Sequence, residues 1–313
     1  MSKFLFFTDT HIKGINPSNR IGNYYQDIIN KIKEVIKIAK NQNCEFIIHG
    51  GDVFDSNLVS LNMCDELVDM IEESKIIWYV IRGNHDCICH NPELSSNTTL
   101  DHMFRRSKYI KHLDRLSNDK TYFIYGWDYF HGIEEAINKS GMRCDFKGKK
   151  IAVVHAMIME KPFLPSVAHC VIGKFKCDYD LVLVGHNHTQ FGLIKHENTL
   201  FVGIGSLARL TVAKSDLDNK PSVAIIDTEG ELKIIELKSA KPAKDVFDLE
   251  NIKEDIIFDD KVDNFIRSLE DTKFQSLSLV GMVQEIIKQN NCEDEVKEEL
   301  IKRISIAEGC REI

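Results

Sequence analysis

Short apolar runs alternate with amphipathic stretches through the first 90 residues of this chain. Phe4 to Thr8 reads as a buried strand. Ile21, Tyr25, Ile28, Ile32, Val35, Ile36 and Ala39 then recur with helical period, predicting a helix over 21–39. Glu45 to His49 is a second short strand. Leu61, Cys64, Leu67, Val68 and Ile71 share one face of a helix predicted over 60–73, and Ile76 to Ile81 is a third strand. Strands that alternate with helices predict a parallel sheet of the α/β class.

The second half is richer in strands. Tyr122–Tyr125, Ile151–Val154, Leu181–Val184, Gly192–Lys195 and Leu200–Val202 are candidates. Ser222–Ile226 and Leu232–Leu237 flank Thr228-Glu229-Gly230, a hairpin signal. That is too many strands for one doubly wound sheet, so two packed sheets covered by helices are expected. After Leu237 the strand signals fade. Helical patterns over 261–269, 277–288 and 293–307 divide the chain into a body, 1–240, and a mainly helical segment, 241–313, a reduced cap or partner-binding segment.

The formal charge of −8 argues at first against a nucleic-acid binder. Its distribution changes that reading. Residues 245–313 hold 18 acidic and 9 basic side chains, whereas residues 1–244 hold 30 acidic and 31 basic. The acidity belongs to the C-terminal segment. Nine cysteines without a C-x-x-C pair or framework spacing fit a reducing, cytoplasmic setting. No run approaches the ~18 apolar residues of a membrane span, and Asp9 and His11 follow the first apolar stretch too soon for a signal peptide.

Five polar clusters follow apolar strands: Asp9-Thr10-His11, Gly51-Asp52, Gly83-Asn84-His85-Asp86, His155 and Gly185-His186-Asn187-His188. Strand carboxyl ends converge on one crevice in open α/β sheets, so these side chains can meet. Mixed carboxylate and imidazole ligands favour manganese, iron or zinc over magnesium. Asp9, His11, Asp52, Asn84, His155, His186 and His188 are too many for one ion and suit two, with Asp52 as a bridge. Paired divalent metals are a device for in-line displacement at phosphorus. His155 has no long motif; its place after Ile151–Val154 favours it over His131 and His169.

The order and wording of these clusters resemble the calcineurin-like metallophosphoesterase superfamily. The resemblance runs from residue 4 to about 210. It implies a four-layer α/β fold, two mixed sheets packed as a sandwich with helices on both outer faces. It also implies that Asp9, His11, Asp52 and His188 hold one metal, and Asp52, Asn84, His155 and His186 the other. His85 would face the scissile phosphate and protonate the leaving oxygen, with Asp86 holding its ring. His49-Gly50-Gly51-Asp52-Val53-Phe54-Asp55 and Gly205-Ser206-Leu207-Ala208-Arg209 resemble segments of SbcD-type DNA-repair nucleases and their phage relatives. That branch implies a manganese-dependent nuclease using a two-metal-activated water, with DNA as substrate, an SbcC-type ATPase subunit as partner and a homodimer as a further assembly. The alternative is a phosphodiesterase or phosphatase for a small nucleotide or phosphoester.

Two surface readings remain. Arg105, Arg106, Lys108, Lys111, Arg115 and Lys120 make a net basic stretch that could touch a DNA backbone or form a solvated helix and loop face. Trp127, Tyr129 and Phe130 could stack on bases or pack in the core.

Overall fold

The computed structural model describes residues 2–88, 97–118, 122–163, 167–228 and 231–248. The helices expected over 261–269, 277–288 and 293–307 lie outside the described residues, as do Cys89, His90 and Lys120.

Two six-stranded mixed sheets form the body. In the first, β1 (Lys3–Phe7), β2 (Phe46–His49), β3 (Ile77–Val80) and β4 (Ile110–His112) run parallel. The second contains β5 (Arg115–Asn118), β6 (Tyr122–Trp127), β7 (Lys149–His155), β10 (Leu181–Gly185), β11 (Gly192–His196) and β12 (Thr199–Gly203). Of these, β6, β7, β10 and β12 are parallel neighbours, with β5 and β11 antiparallel at the edges. A small parallel pair, β8 (Ile158–Met159) and β9 (Cys170–Val171), lies between them in sequence. The chain returns to the first sheet through the antiparallel β13 (Ser222–Asp227) and β14 (Leu232–Glu236).

Strand pleating explains the layers. Ile151 and Val153 of β7, with Leu181 and Leu183 of β10, join the core shared with β1 and β2. Their neighbours Ala152, Val154, Val182 and Val184 point to the opposite face and pack beneath α4 (Ile133–Ser140). On the first sheet, α1 (Tyr24–Asn41) buries Ile28, Ile32, Val35 and Ile36, and α2 (Leu61–Ser74) buries Cys64, Leu67, Val68 and Ile71. The fold is therefore the expected α/β sandwich.

Several boundaries differ from expectation. The first helix begins at Tyr24 because Asn23 caps it, its side chain accepting from Gln26 N–H; Ile21 lies outside, 44% exposed. The basic stretch is a helix, α3 (Thr99–Arg106), followed by β4 and β5. All three of its arginines have acidic neighbours: Arg105 meets Asp101, Arg106 meets Asp65 and Asp69, and Arg115 meets Asp114. Packing also continues past residue 240. Beyond α5 (Lys214–Asp218) and β14, Val246 and Phe247 are buried, and Ile21 N–H donates to the Val246 carbonyl.

Candidate metal centre

The two sheets bring the carboxyl ends of β1, β2, β3, β7 and β10 to one edge of the sandwich. All seven expected ligands gather there in two cups. Asp9, His11 and His188 form one, and Asp52, His155 and His186 the other, each with ligand atoms within 4.8 Å of one another. His11, Asp52 and His85 form a third such group between them. Asn84 joins the second cup through its Oδ1, 3.1 Å from His155 Nε2. Asp52 is common ground: its Oδ2 is 3.7 Å from His11 Nε2 and 3.3 Å from His155 Nε2.

The donor set fits metal ions. His11 Nε2 and His188 Nε2 point at each other 3.0 Å apart, and Asp9 Oδ1 is 3.9 Å and 3.8 Å from them. Ligands about 2.1 Å from a shared ion would have comparable spacings. The grouped Asp and His donors suit a dinuclear divalent-metal site.

The backbone is bent to aim these groups. Asp9 (φ 54°), His11 (φ 42°), Asp52 (φ 53°) and His186 (φ 74°) all lie in the left-handed region that side chains other than glycine's seldom occupy. Surrounding hydrogen bonds hold them. Asp9 N–H donates to the Gly51 carbonyl at 3.1 Å, and His11 N–H to the Asp52 carbonyl at 3.0 Å. Thr8 Oγ1 donates to Asp9 Oδ2 at 2.7 Å, and His186 N–H approaches the same carboxylate at 3.2 Å. From the far end of the body, Ser206 Oγ and Ala208 N–H both donate to the Asp9 carbonyl. The Gly205–Arg209 segment thus clamps β1's outlet.

Two glycines let backbone and ligands approach. Gly51 sits at φ +96°, and a Cβ there would be 2.4 Å from His155 Nδ1. A Cβ on Gly83 would be 2.1 Å from Asp52 Oδ1.

His155 and His49 each have defined partners. His155 Nδ1 donates to the Gly50 carbonyl at 2.8 Å, which aims Nε2 into the cup. His49 accepts Gly51 N–H at Nδ1 and contacts Thr10 Oγ1 through Nε2. Thr10 itself donates to the Val53 carbonyl, so His49 Nε2 carries the hydrogen. His49 is a neutral strut beneath the site; burial lowers its pKa to about 3.

Electrostatics follow the same geometry. Burial raises the Asp52 carboxyl, but His155, His11 and His85 outweigh it and hold Asp52 well below the usual carboxylate range. Burial opposes charge on His155, yet Asp52 beside it lifts the ring to about 9. His11 is likewise raised against burial by Asp55, Asp52 and Asp9. His186, desolvated and next to His155, falls to about 3, and burial lowers His188.

One role differs from what the resemblance implies. Asp86 turns its carboxylate to the backbone, accepting the N–H groups of Asp52 (2.8 Å), Gly83 (2.9 Å) and Val53 (3.1 Å). Burial and the Asp52 charge push this carboxyl up to about 7, against those donors. The ring of His85 instead donates from Nδ1 to the Asp55 carbonyl at 2.9 Å, while His85 N–H donates to Asp52 Oδ1 at 2.8 Å. The resemblance implies Asp86 as the ring's partner, but its side chain points inward to tie the β2 and β3 outlets together. A backbone carbonyl such as Asp55's leaves no residue-type signal. Gly50 acts through its carbonyl too, whereas Thr8 and Ser206 act through hydroxyls that the sequence gives no role. Of the histidines weighed against His155, His169 bonds to local backbone groups of Val167 and Phe163, and His131 is exposed.

A model of the calcineurin-like phosphoesterase family matches residues 2–190. The chain belongs to this family of metal-dependent hydrolases. It is also similar to the DNA double-strand break repair protein Mre11 of Sulfolobus acidocaldarius, at 22% identity over 283 residues, covering 86% of this chain and 69% of that protein. Among solved structures, a dimetal phosphatase from Danio rerio aligns with a TM-score of 0.48 and 9% identity, over 77% of this chain and 97% of the other. A protein from Thermus thermophilus aligns with a TM-score of 0.45 and 10% identity, over 75% and 98%. Among the described residues, no helix is long and apolar enough to cross a membrane.

Proposed function

We propose that this protein is a DNA nuclease of the SbcD-type branch, working with manganese and an SbcC-type ATPase subunit. The carrying observation is the site's construction around the Gly50-Gly51-Asp52-Val53-Phe54-Asp55 segment. Its Gly50 carbonyl fixes His155, its Asp52 sits between both cups, and its Asp55 carbonyl fixes His85. The nuclease-like wording of that segment and the similarity to Mre11 support the same reading.

Two divalent ions in the cups supply Lewis acidity and neutralise phosphoryl charge. The chain's own residues do the rest. Asp9, His11, Asp52 and His155 are buried and form the floor, whereas His85, His186 and His188 are half-buried along an accessible rim. A phosphodiester resting on this rim meets His85, whose Nδ1 is occupied by the Asp55 carbonyl. In the doubly protonated ring, Nε2 is then the atom that gives up its proton to the departing oxygen, leaving a neutral ring with its hydrogen on Nδ1.

Purified protein with manganese is to be offered linear duplex DNA, single-stranded DNA and a chromogenic phosphodiester, with and without the ATPase partner. Release of nucleotides from DNA is expected. Hydrolysis of the small diester alone would transfer the assignment to a small-phosphoester hydrolase.

A further inference from the structure

We propose that the outer face of β6 is a stacking track for single-stranded DNA that leads to the metal centre. Tyr122 and Ile124 point into the sandwich core, so Phe123, Tyr125 and Trp127 face the other way at every second position. Phe123 and Tyr125 stack with ring centroids 6.3 Å apart, and Trp127 lies 5.6 Å from Tyr125, edge to face. Phe146 extends the row at its far end, stacked 5.4 Å from Phe123. The strand's other end delivers Tyr129 to the site, 6.0 Å from the His186 ring and 6.3 Å from His155. Tyr129 N–H is fixed to the Arg82 carbonyl, at the outlet of β3.

Tyr125, Trp127 and Tyr129 rest against the core beneath α4 without being closed off by it. Phe123, Tyr125, Trp127 and Tyr129 are all only partly buried, and the first three border a groove of about 370 Å³. Arg115 and Arg143 flank the groove. The Arg115 guanidinium lies 5.8 Å over the Tyr125 ring; both arginine side chains are more than half exposed, and each also meets an exposed carboxylate, Arg115 that of Asp114 at 3.9 Å and Arg143 that of Asp178 at 3.4 Å. Aromatic faces at strand spacing, edged by exposed guanidinium groups, suit an unpaired strand whose bases stack while its phosphates meet arginine. Duplex DNA offers no free base faces to such a row. A row of aromatic residues alone could be surplus packing; its cations and its end at His186 favour a nucleic-acid strand.

This inference rests on the nuclease reading, and its test separates the two. Binding of a labelled phosphorothioate oligothymidylate is measured by anisotropy and by quenching of Trp127 emission, beside hydrolysis of a chromogenic phosphodiester. Tyr125→Leu keeps apolar bulk and removes one ring face. It should weaken oligonucleotide binding about tenfold. Combined Arg115→Glu and Arg143→Glu should weaken it by a similar factor and flatten its salt dependence. Small-diester hydrolysis and the melting curve should stay at the wild-type level in both. Wild-type affinity in both variants, with DNA still cleaved by the parent, overturns the track and leaves the nuclease reading standing. A parent that cleaves the small diester but neither binds nor cleaves DNA overturns both. Hydroxyl-radical footprinting identifies other occupants: a row already protected in the free protein and unchanged by DNA belongs to another segment of the chain or a second copy, which also overturns the track.

Discussion

His155 Nδ1 donates to the carbonyl oxygen of Gly50 at 2.8 Å, a bond that crosses from one sheet of the sandwich to the other. It sets the tautomer of a metal-facing ring from the backbone of the segment that also carries Asp52. Gly51→Ala attacks this link directly. A Cβ at φ +96° would strain the backbone and displace His155. We expect a stability loss of about 1–3 kcal/mol and weaker metal binding by about 10–100-fold, read by urea unfolding and metal titration calorimetry.

His85→Gln should abolish most hydrolysis and leave metals bound. Proton delivery by a positioned side chain contributes about 10²–10⁴-fold, so kcat should fall within that range. Metal content by elemental analysis should match the parent. Unchanged turnover would remove His85 from the reaction.

Asp86→Asn places an amide among three backbone N–H donors spaced for a carboxylate. One donor must then face another. The variant should lose about 1–3 kcal/mol of stability. Its kcat should fall too, since Gly83 and Asp52 locate Asn84 and His85. If stability and turnover both match the parent, the inward role of Asp86 is wrong.

Metal loading should release protons at neutral pH. In the metal-free protein His155 holds its proton up to about pH 9, and His11 is raised as well. A ring nitrogen must give up that proton before it can bind metal. Metal affinity should therefore rise as pH rises toward 9. Calorimetry in two buffers of different ionisation enthalpy will count the protons.

His49 gives the protein an acid-sensitive strut. Its folded pKa is depressed to about 3 from an ordinary 6.5. Between those values the unfolded chain binds a proton that the native state refuses. His49's contribution is complete above about 6.5 and is lost as pH falls toward 3, at up to about 1.4 kcal/mol per pH unit. His49→Gln should flatten that part of the stability profile, measured by thermal unfolding across pH.

Much of this site is legible from residue order, because each ligand cluster directly follows an apolar run that could only be a strand. Asp9, Asp52, Asn84, His155 and His186 are all placed that way. The signal fails where structure depends on atoms common to every residue. The Gly50 and Asp55 carbonyls carry no residue-type mark, and neither do the left-handed turns at Asp9 and Asp52. β4 fails for another reason: Ile110 is its only buried residue, so Ile110–His112 shows no apolar run. Asp86 shows the opposite hazard, a neighbour in sequence whose side chain turns away to serve the fold.

The clamp on Asp9 ties the centre to distant parts of the chain. Ser206, which holds the Asp9 carbonyl, lies 197 residues downstream. The first metal cup also needs His188, and β1 is bordered by β13 as well as β2. A portion of the chain that ends before His188 therefore lacks a ligand of the first cup, and one that ends before Ser206 lacks the clamp. The centre is thus a property of most of the sandwich, drawing on residues from both ends of the body.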